Sequence, residues 1–134
     1  MKESFTDYLQ NYKFAQGEDL EPEALIVAQK ILCNMGLDFL PESYCDFLRK
    51  YNGIKTGDCY IFGATVDDDL DIVDQNKKMP KPENTILLGY NDFDLLCYDY
   101  VQKKYLVADR TDFDILGTYN ENELDDALLQ IFNV

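Results

Sequence analysis

The feature that most constrains this chain is a change of hydrophobic period near residue 57. Upstream, apolar residues recur at helical spacing. Phe5, Tyr8, Leu9 and Tyr12 fall at i, i+3, i+4 and i+7, so a first helix should bury an aromatic stripe. After a polar break at residues 16–19, Pro22 occupies a first-turn position, and Leu25, Ala28, Leu32 and Met35 continue the period to a stop at Gly36. A third helix starts at Pro41 and carries Tyr44, Phe47, Leu48 and Tyr51 on one face, ending at Asn52 and Gly53, which tolerate a left-handed helix end. The first 55 residues thus read as helical.

Downstream the pattern becomes short β-like runs punctuated by turn residues. The expected strands are residues 59–62, 85–90, 93–100, 105–109 and 113–119. Their short links favour antiparallel hairpins, because a parallel crossover needs a dozen or more residues. Residues 67–78 are expected to form a short helix or loop, followed by Pro80 and Pro82, which lack backbone donors. Asn120, with Glu123 three residues on, predicts a capped final helix whose apolar face is Leu124, Ala127, Leu128, Ile131 and Phe132. The order predicts an α+β fold: an antiparallel sheet of about five strands, with helices from the N-terminal region and a C-terminal helix packed on one face.

At 134 residues the chain reads as one domain, residues 1–134, long enough for an ordinary core. Hydrophobic content of 46%, with 10 Tyr and 8 Phe, lies outside the disordered range. The 26 acidic residues against 12 basic ones give a net charge of −14 and argue against nucleic acid and anionic membrane as partners. With no histidine, Ser-His-Asp and Cys-His nucleophile pairs and His metal ligands are excluded. Cys33, Cys45, Cys59 and Cys97 form neither a CxxC pair nor a dense disulfide framework, and read as buried free thiols. Met1 is followed by Lys2 and Glu3 rather than a signal peptide, and no run approaches the roughly 18 apolar residues of a membrane span. The expected setting is cytoplasmic.

The charge is unevenly placed. Residues 1–56 hold 9 acids and 6 bases, whereas residues 57–134 hold 17 acids and 6 bases, so the β-rich part carries −11 of the total. Asp67, Asp68, Asp69, Asp71 and Asp74 place five carboxylates in eight residues. Such density repels itself and weakens a fold, which argues against a purely structural purpose. The alternatives are a surface that meets a basic partner and a solvated face that keeps the protein soluble.

Catalytic chemistry finds little support. The EF-hand pattern fails from Asp67, since Ile72 stands at the glycine position and Lys78 at the glutamate position. Asp92 with Asp94, and Asp112 with Asp114, have a period-2 spacing that would place each pair on one strand face, where magnesium could bind in a hydrolase; the plainer reading is the polar face of half-buried strands. No GxSxG turn and no Gly-rich phosphate loop occurs. No enzyme activity, cofactor or metal is expected. Tyr60, Tyr90, Tyr98, Tyr100, Tyr105 and Tyr119 are better functional candidates, because tyrosine is enriched at interfaces, and about half of them should face inward.

The run LPESYCDFLRKYNG, with Leu40, Pro41, Tyr44, Phe47, Leu48, Asn52 and Gly53 at the matching positions, resembles the LP-x-x-[YF]-x-x-FL-x-x-x-NG signature of the SUKH superfamily. That family includes bacterial immunity proteins and fungal cell-wall-synthesis regulators. The order of elements is similar over roughly residues 20–134. The resemblance implies a non-catalytic domain that in bacteria commonly neutralises a toxin, often a nuclease, by binding it. A basic protein partner of that kind suits the charge, although a standard interface of roughly 800 Å² would hold only about 1.5 net charges if they were spread evenly. Clustering is therefore required. Asp67, Asp68, Asp69, Asp71 and Asp74, with Asp92, Asp94, Asp112 and Asp114, are expected to rim the binding face, and Tyr60, Tyr90 and Tyr119 to anchor it. The rival readings are a regulatory or scaffolding module without a toxin and a carboxylate-based metal-dependent hydrolase.

Overall fold

A computed structural model of the chain describes residues 4–9, 15–16, 19–65 and 69–133. In chain order its elements are α1 (Phe5–Leu9), β1 (Ala15–Gln16), α2 (Pro22–Asn34), α3 (Glu42–Lys50), β2 (Ile54–Lys55), β3 (Tyr60–Ile61), α4 (Ile72–Lys78), β4 (Thr85–Tyr90), β5 (Asp94–Asp99), β6 (Lys104–Asp109), β7 (Ile115–Asn120), a 3-10 turn (Glu121–Glu123) and α5 (Leu124–Ile131). The fold is α+β. Among the described residues seven strands form one antiparallel meander in sequence order.

The sheet is wider than the five strands expected. The two additions, β1 and β2, are two residues each and lie in the part of the chain read as helical. Two residues are too few to show a period. The expectation that helices cover one face is also corrected. Consecutive residues Leu95, Leu96, Cys97 and Tyr98 are all buried, as are Tyr105 to Ala108, so the central strands are enclosed on both faces.

Helix boundaries follow the sequence where the signal is backbone chemistry. Pro22 stands at the start of α2, and Gly36, at φ +89°, closes it: the Leu37 N–H donates to the Leu32 carbonyl at 3.0 Å and the Gly36 N–H to the Cys33 carbonyl at 3.0 Å. Glu123 accepts from the Asn120 N–H at 2.8 Å, completing the capping box ahead of α5. Phe5 and Leu9 of α1 are buried, with the Phe5 ring 4.9 Å from Phe132 and 6.0 Å from Phe47. Tyr12, assigned to the same stripe, lies outside the described residues.

The signature segment works as a clamp between α3 and the sheet. Tyr44 is fully buried, and its hydroxyl donates to the Phe62 carbonyl and, at 3.3 Å, approaches the Leu88 carbonyl. Gly53, at φ +92°, does not cap α3; Tyr51 already leaves the helix in an extended conformation, and Asn52 and Gly53 turn the chain into β2. Asn52 is buried. Its Nδ2 donates to the Ala64 carbonyl at 2.9 Å and its Oδ1 accepts from the Ala64 N–H at 2.8 Å. Asn76 does the same for Leu87 on β4, and Asn91 ties its own turn to the Ile131 carbonyl at 2.7 Å. Three buried amides thus satisfy backbone groups that no strand pairs.

Candidate partner-binding surface

Register decides which nominated residues share a face. Tyr60 pairs with Tyr90, Tyr90 with Leu95, Leu95 with Ala108 and Ala108 with Ile115, which puts all five on one side of the sheet. Tyr98, Tyr105 and Tyr119 pair on the other side, where α3 and α5 pack. Tyr119 bonds Gln130 of α5 through its hydroxyl, and the Tyr105 hydroxyl lies 2.5 Å from Ser43 Oγ on α3. Tyr119 therefore does not join Tyr60 and Tyr90 in one anchor group. Of the six tyrosines weighed, Tyr98 and Tyr105 are buried and the other four are half-buried.

On the Tyr60 side the structure builds a continuous strip. Asp69 meets Lys55 at 3.4 Å, Lys55 Nζ sits 5.3 Å from the Tyr60 ring centre, Tyr60 stacks on Tyr90, and the Arg110 guanidinium sits 4.8 Å from the Tyr90 ring centre. Burial, with Tyr60 and Asp69 nearby, raises the Tyr90 hydroxyl above its ordinary range, and Arg110 and Lys55 oppose that rise.

Arg110 also joins the two acidic turns. Its backbone N–H donates to the Phe93 carbonyl and its guanidinium to the Asn91 carbonyl, both at 2.9 Å. Asn91 Oδ1 accepts from the Phe93 and Asp94 N–H groups, which holds the 91–94 turn. The turns that carry Asp92, Asp94, Asp112 and Asp114 thereby meet at one end of the sheet, where Phe93 is 75% exposed.

The strand-face reading of these acids is corrected. Asp92, Asp112 and Asp114 precede their strands rather than lie in them, and Phe113 between the latter two has φ +63°. Turn geometry took those residues because Asp109 Oδ1 accepts from the Thr111 N–H and Asp112 Oδ1 from the Asp114 N–H, the side-chain-to-backbone bonds that compete with a strand ladder. Several acids thus do have structural work. Asp71 caps α4, accepting from the Asp74 N–H at 3.2 Å. Burial lifts the Asp71 and Asp94 carboxyls above their usual range, Asp94 with help from Asp109 directly across the strand pair. Asp67 and Asp68 lie outside the described residues.

Asp71 and Asp74 belong to a different place from the strip. They line a groove of about 510 Å³ between α2 and α4, floored by Val27, Ile31 and Val73 and edged also by Asp19, Glu21 and Glu23. Sequence reading overlooked this groove because its walls come from segments some fifty residues apart. The available signal was on α2, where Ile26 and Val27 are apolar but fall off the buried period and are 52% and 53% exposed.

Three of the four thiols are shielded by their environment. Cys45, Cys59 and Cys97 are buried; burial pushes Cys45 up to about 11 and Cys59 and Cys97 up to about 12. Among the described residues no three acidic or thiol groups are placed to hold a metal ion, and no helix is long and apolar enough to cross a membrane. No family model matches the chain, and no curated protein is significantly similar to it.

Proposed function

We propose that this protein is a non-catalytic binding domain of the immunity type, which neutralises a basic toxin domain, of the nuclease kind, by covering it. The observation that carries the reading is the convergence at Arg110 of two acidic turns, the exposed Phe93 and the stacked Tyr60–Tyr90 pair. Exposed aromatics inside a charged rim have the anatomy of a protein-binding hot spot. An enzyme that acts on nucleic acid presents a cationic cleft, and carboxylates held at one end of a rigid sheet complement it. The likeness of residues 40–53 to the SUKH signature supports the same reading.

Asp92, Asp94, Asp112 and Asp114, with Asp69, supply the charge in this account, and Tyr60, Tyr90 and Phe93 the contact area. Tyr119 is left out, since α5 engages it. The test is co-expression with the protein encoded by the neighbouring gene. A stable complex and rescued growth support the proposal; neither complex nor rescue would end it.

A further inference from the structure

The acid-edged groove between α2 and α4 is separate from the aromatic strip, and its chemistry specifies an occupant. The floor is aliphatic, with no side chain of the sheet reaching over it among the lining residues. Among the described lining residues, five carboxylates, Asp19, Glu21, Glu23, Asp71 and Asp74, stand against the single ammonium of Lys77. Beside Val27 on α2, Ile26 is also about half exposed. A purely aliphatic ligand would leave the carboxylates unanswered, and a purely polar cation would leave the floor wet. Asp71 and Asp74 are half-buried, whereas Asp19, Glu21 and Glu23 are exposed.

We infer that the groove is a docking site for a basic, aliphatic-rich segment of a protein partner, in which one or two Leu, Ile or Val side chains seat on the Val27–Ile31–Val73 floor and flanking lysines or arginines pair with the rim. This rests on the proposed binding function and deepens it by naming a second contact, made to a different part of the partner from the one the strip engages. Opposite charges at the rim select the segment and fix its register, while the floor supplies the burial.

The experiment titrates the full chain with a short end-capped peptide alternating lysine with leucine, and compares two isosteric double variants that each remove two negative charges. Glu21→Gln with Glu23→Gln removes two of the five carboxylates of the groove rim. Neither side chain makes a cap bond to α2, so melting temperature should stay near that of the parent. Asp58→Asn with Asp125→Asn instead neutralises two exposed carboxylates that line neither the groove nor the aromatic strip. The groove pair should weaken peptide binding about tenfold, the order that two exposed charge pairs supply together. The distal pair should change it less than about twofold. Val27→Lys, at a half-exposed site, should abolish saturable binding.

Equal weakening by both double variants would overturn the assignment, because net charge alone would then explain the affinity. It would also fall if a peptide alternating lysine with serine bound as well as the leucine one, or if the wild-type chain proved to be a dimer that Val27→Lys dissociates, since a second copy would then be the occupant. Loss of the groove assignment with the co-expressed toxin still captured and neutralised leaves the immunity reading standing. Failure of the wild-type chain to capture the toxin is the separate result that removes that reading.

Discussion

The rings of Tyr60 and Tyr90 lie parallel, 2° apart in plane and 5.0 Å between centres, across the β3–β4 pair. Lys55 flanks one ring and Arg110 the other, so a cation stands at each end of the stack. Cross-strand aromatic pairs add about 0.5–1.5 kcal/mol beyond burial, and half-exposed ones also offer contact area. Tyr60→Ala is predicted to lower unfolding free energy by about 1 kcal/mol in urea, yet to weaken partner binding by a larger amount, about 2 kcal/mol by calorimetry. A variant that lost stability but bound normally would assign the stack to the fold alone.

Asn52 is predicted to matter more to stability than any exposed acid. Asn52→Ala strands the buried N–H and C=O of Ala64, at a cost of about 2–4 kcal/mol for two unmet bonds. Gly63→Ala should be as harmful, since a Cβ there would come within 2.6 Å of the Asn52 carbonyl carbon. Chemical denaturation of both variants checks this, and midpoints within error of the parent would refute it.

Alkali should destabilise the protein in a defined window. An unfolded thiol ionises near pH 9, whereas burial holds the protons of Cys59 and Cys97 to about 12. Between those values the unfolded chain binds fewer protons than the native one, so unfolding free energy falls as pH rises from 9 to 12; below pH 9 these thiols give no slope. Tyr98 and Tyr105, raised chiefly by burial, steepen the same limb above pH 10. Cys59→Ala with Cys97→Ala should flatten it, measured by urea midpoints across the range. A slope unchanged by the pair would reject the assignment. In native buffer only Cys33 should react with a thiol reagent, because the other three are buried.

Asp94 faces Asp109 across β5–β6, a like-charge pair that disfavours the native state. Its carboxyl is raised, first by burial, so stability is greatest with the group protonated and declines as pH climbs through its folded value. Asp94→Asn should therefore stabilise the fold by roughly 0.5 kcal/mol at neutral pH while slowing capture of a basic partner. Destabilisation on this change would show that the carboxylate is needed in the native turn.

Long periodic elements were legible because their residues repeat the environment that positions them. The aromatic spacing from Phe5 and the apolar runs of β4 to β6 give both the element and its burial, and Pro22, Gly36, Pro41 and Asn120 mark helix ends, whereas Asn52 and Gly53 do not. Two-residue strands β1 and β2 repeat nothing. The buried amides of Asn52, Asn76 and Asn91 look like surface residues in sequence, because only the fold supplies the unpaired backbone that they satisfy. Alternating acids at 112 and 114 imitate a strand, and the turn bond of Asp112 defeats that pattern. Tyr60 and Tyr90 stand out by type, but their partnership with Arg110 depends on the 91–94 and 109–114 turns meeting, which spacing along the chain does not encode.

The most direct test of the central claim is the association rate between this chain and the proposed toxin partner as a function of sodium chloride. Carboxylates clustered at the Arg110 end and around the α2–α4 groove should steer a basic partner, so the rate should fall at least about tenfold between roughly 50 and 500 mM salt while dissociation changes little. An association rate that stays level across that range would contradict the account.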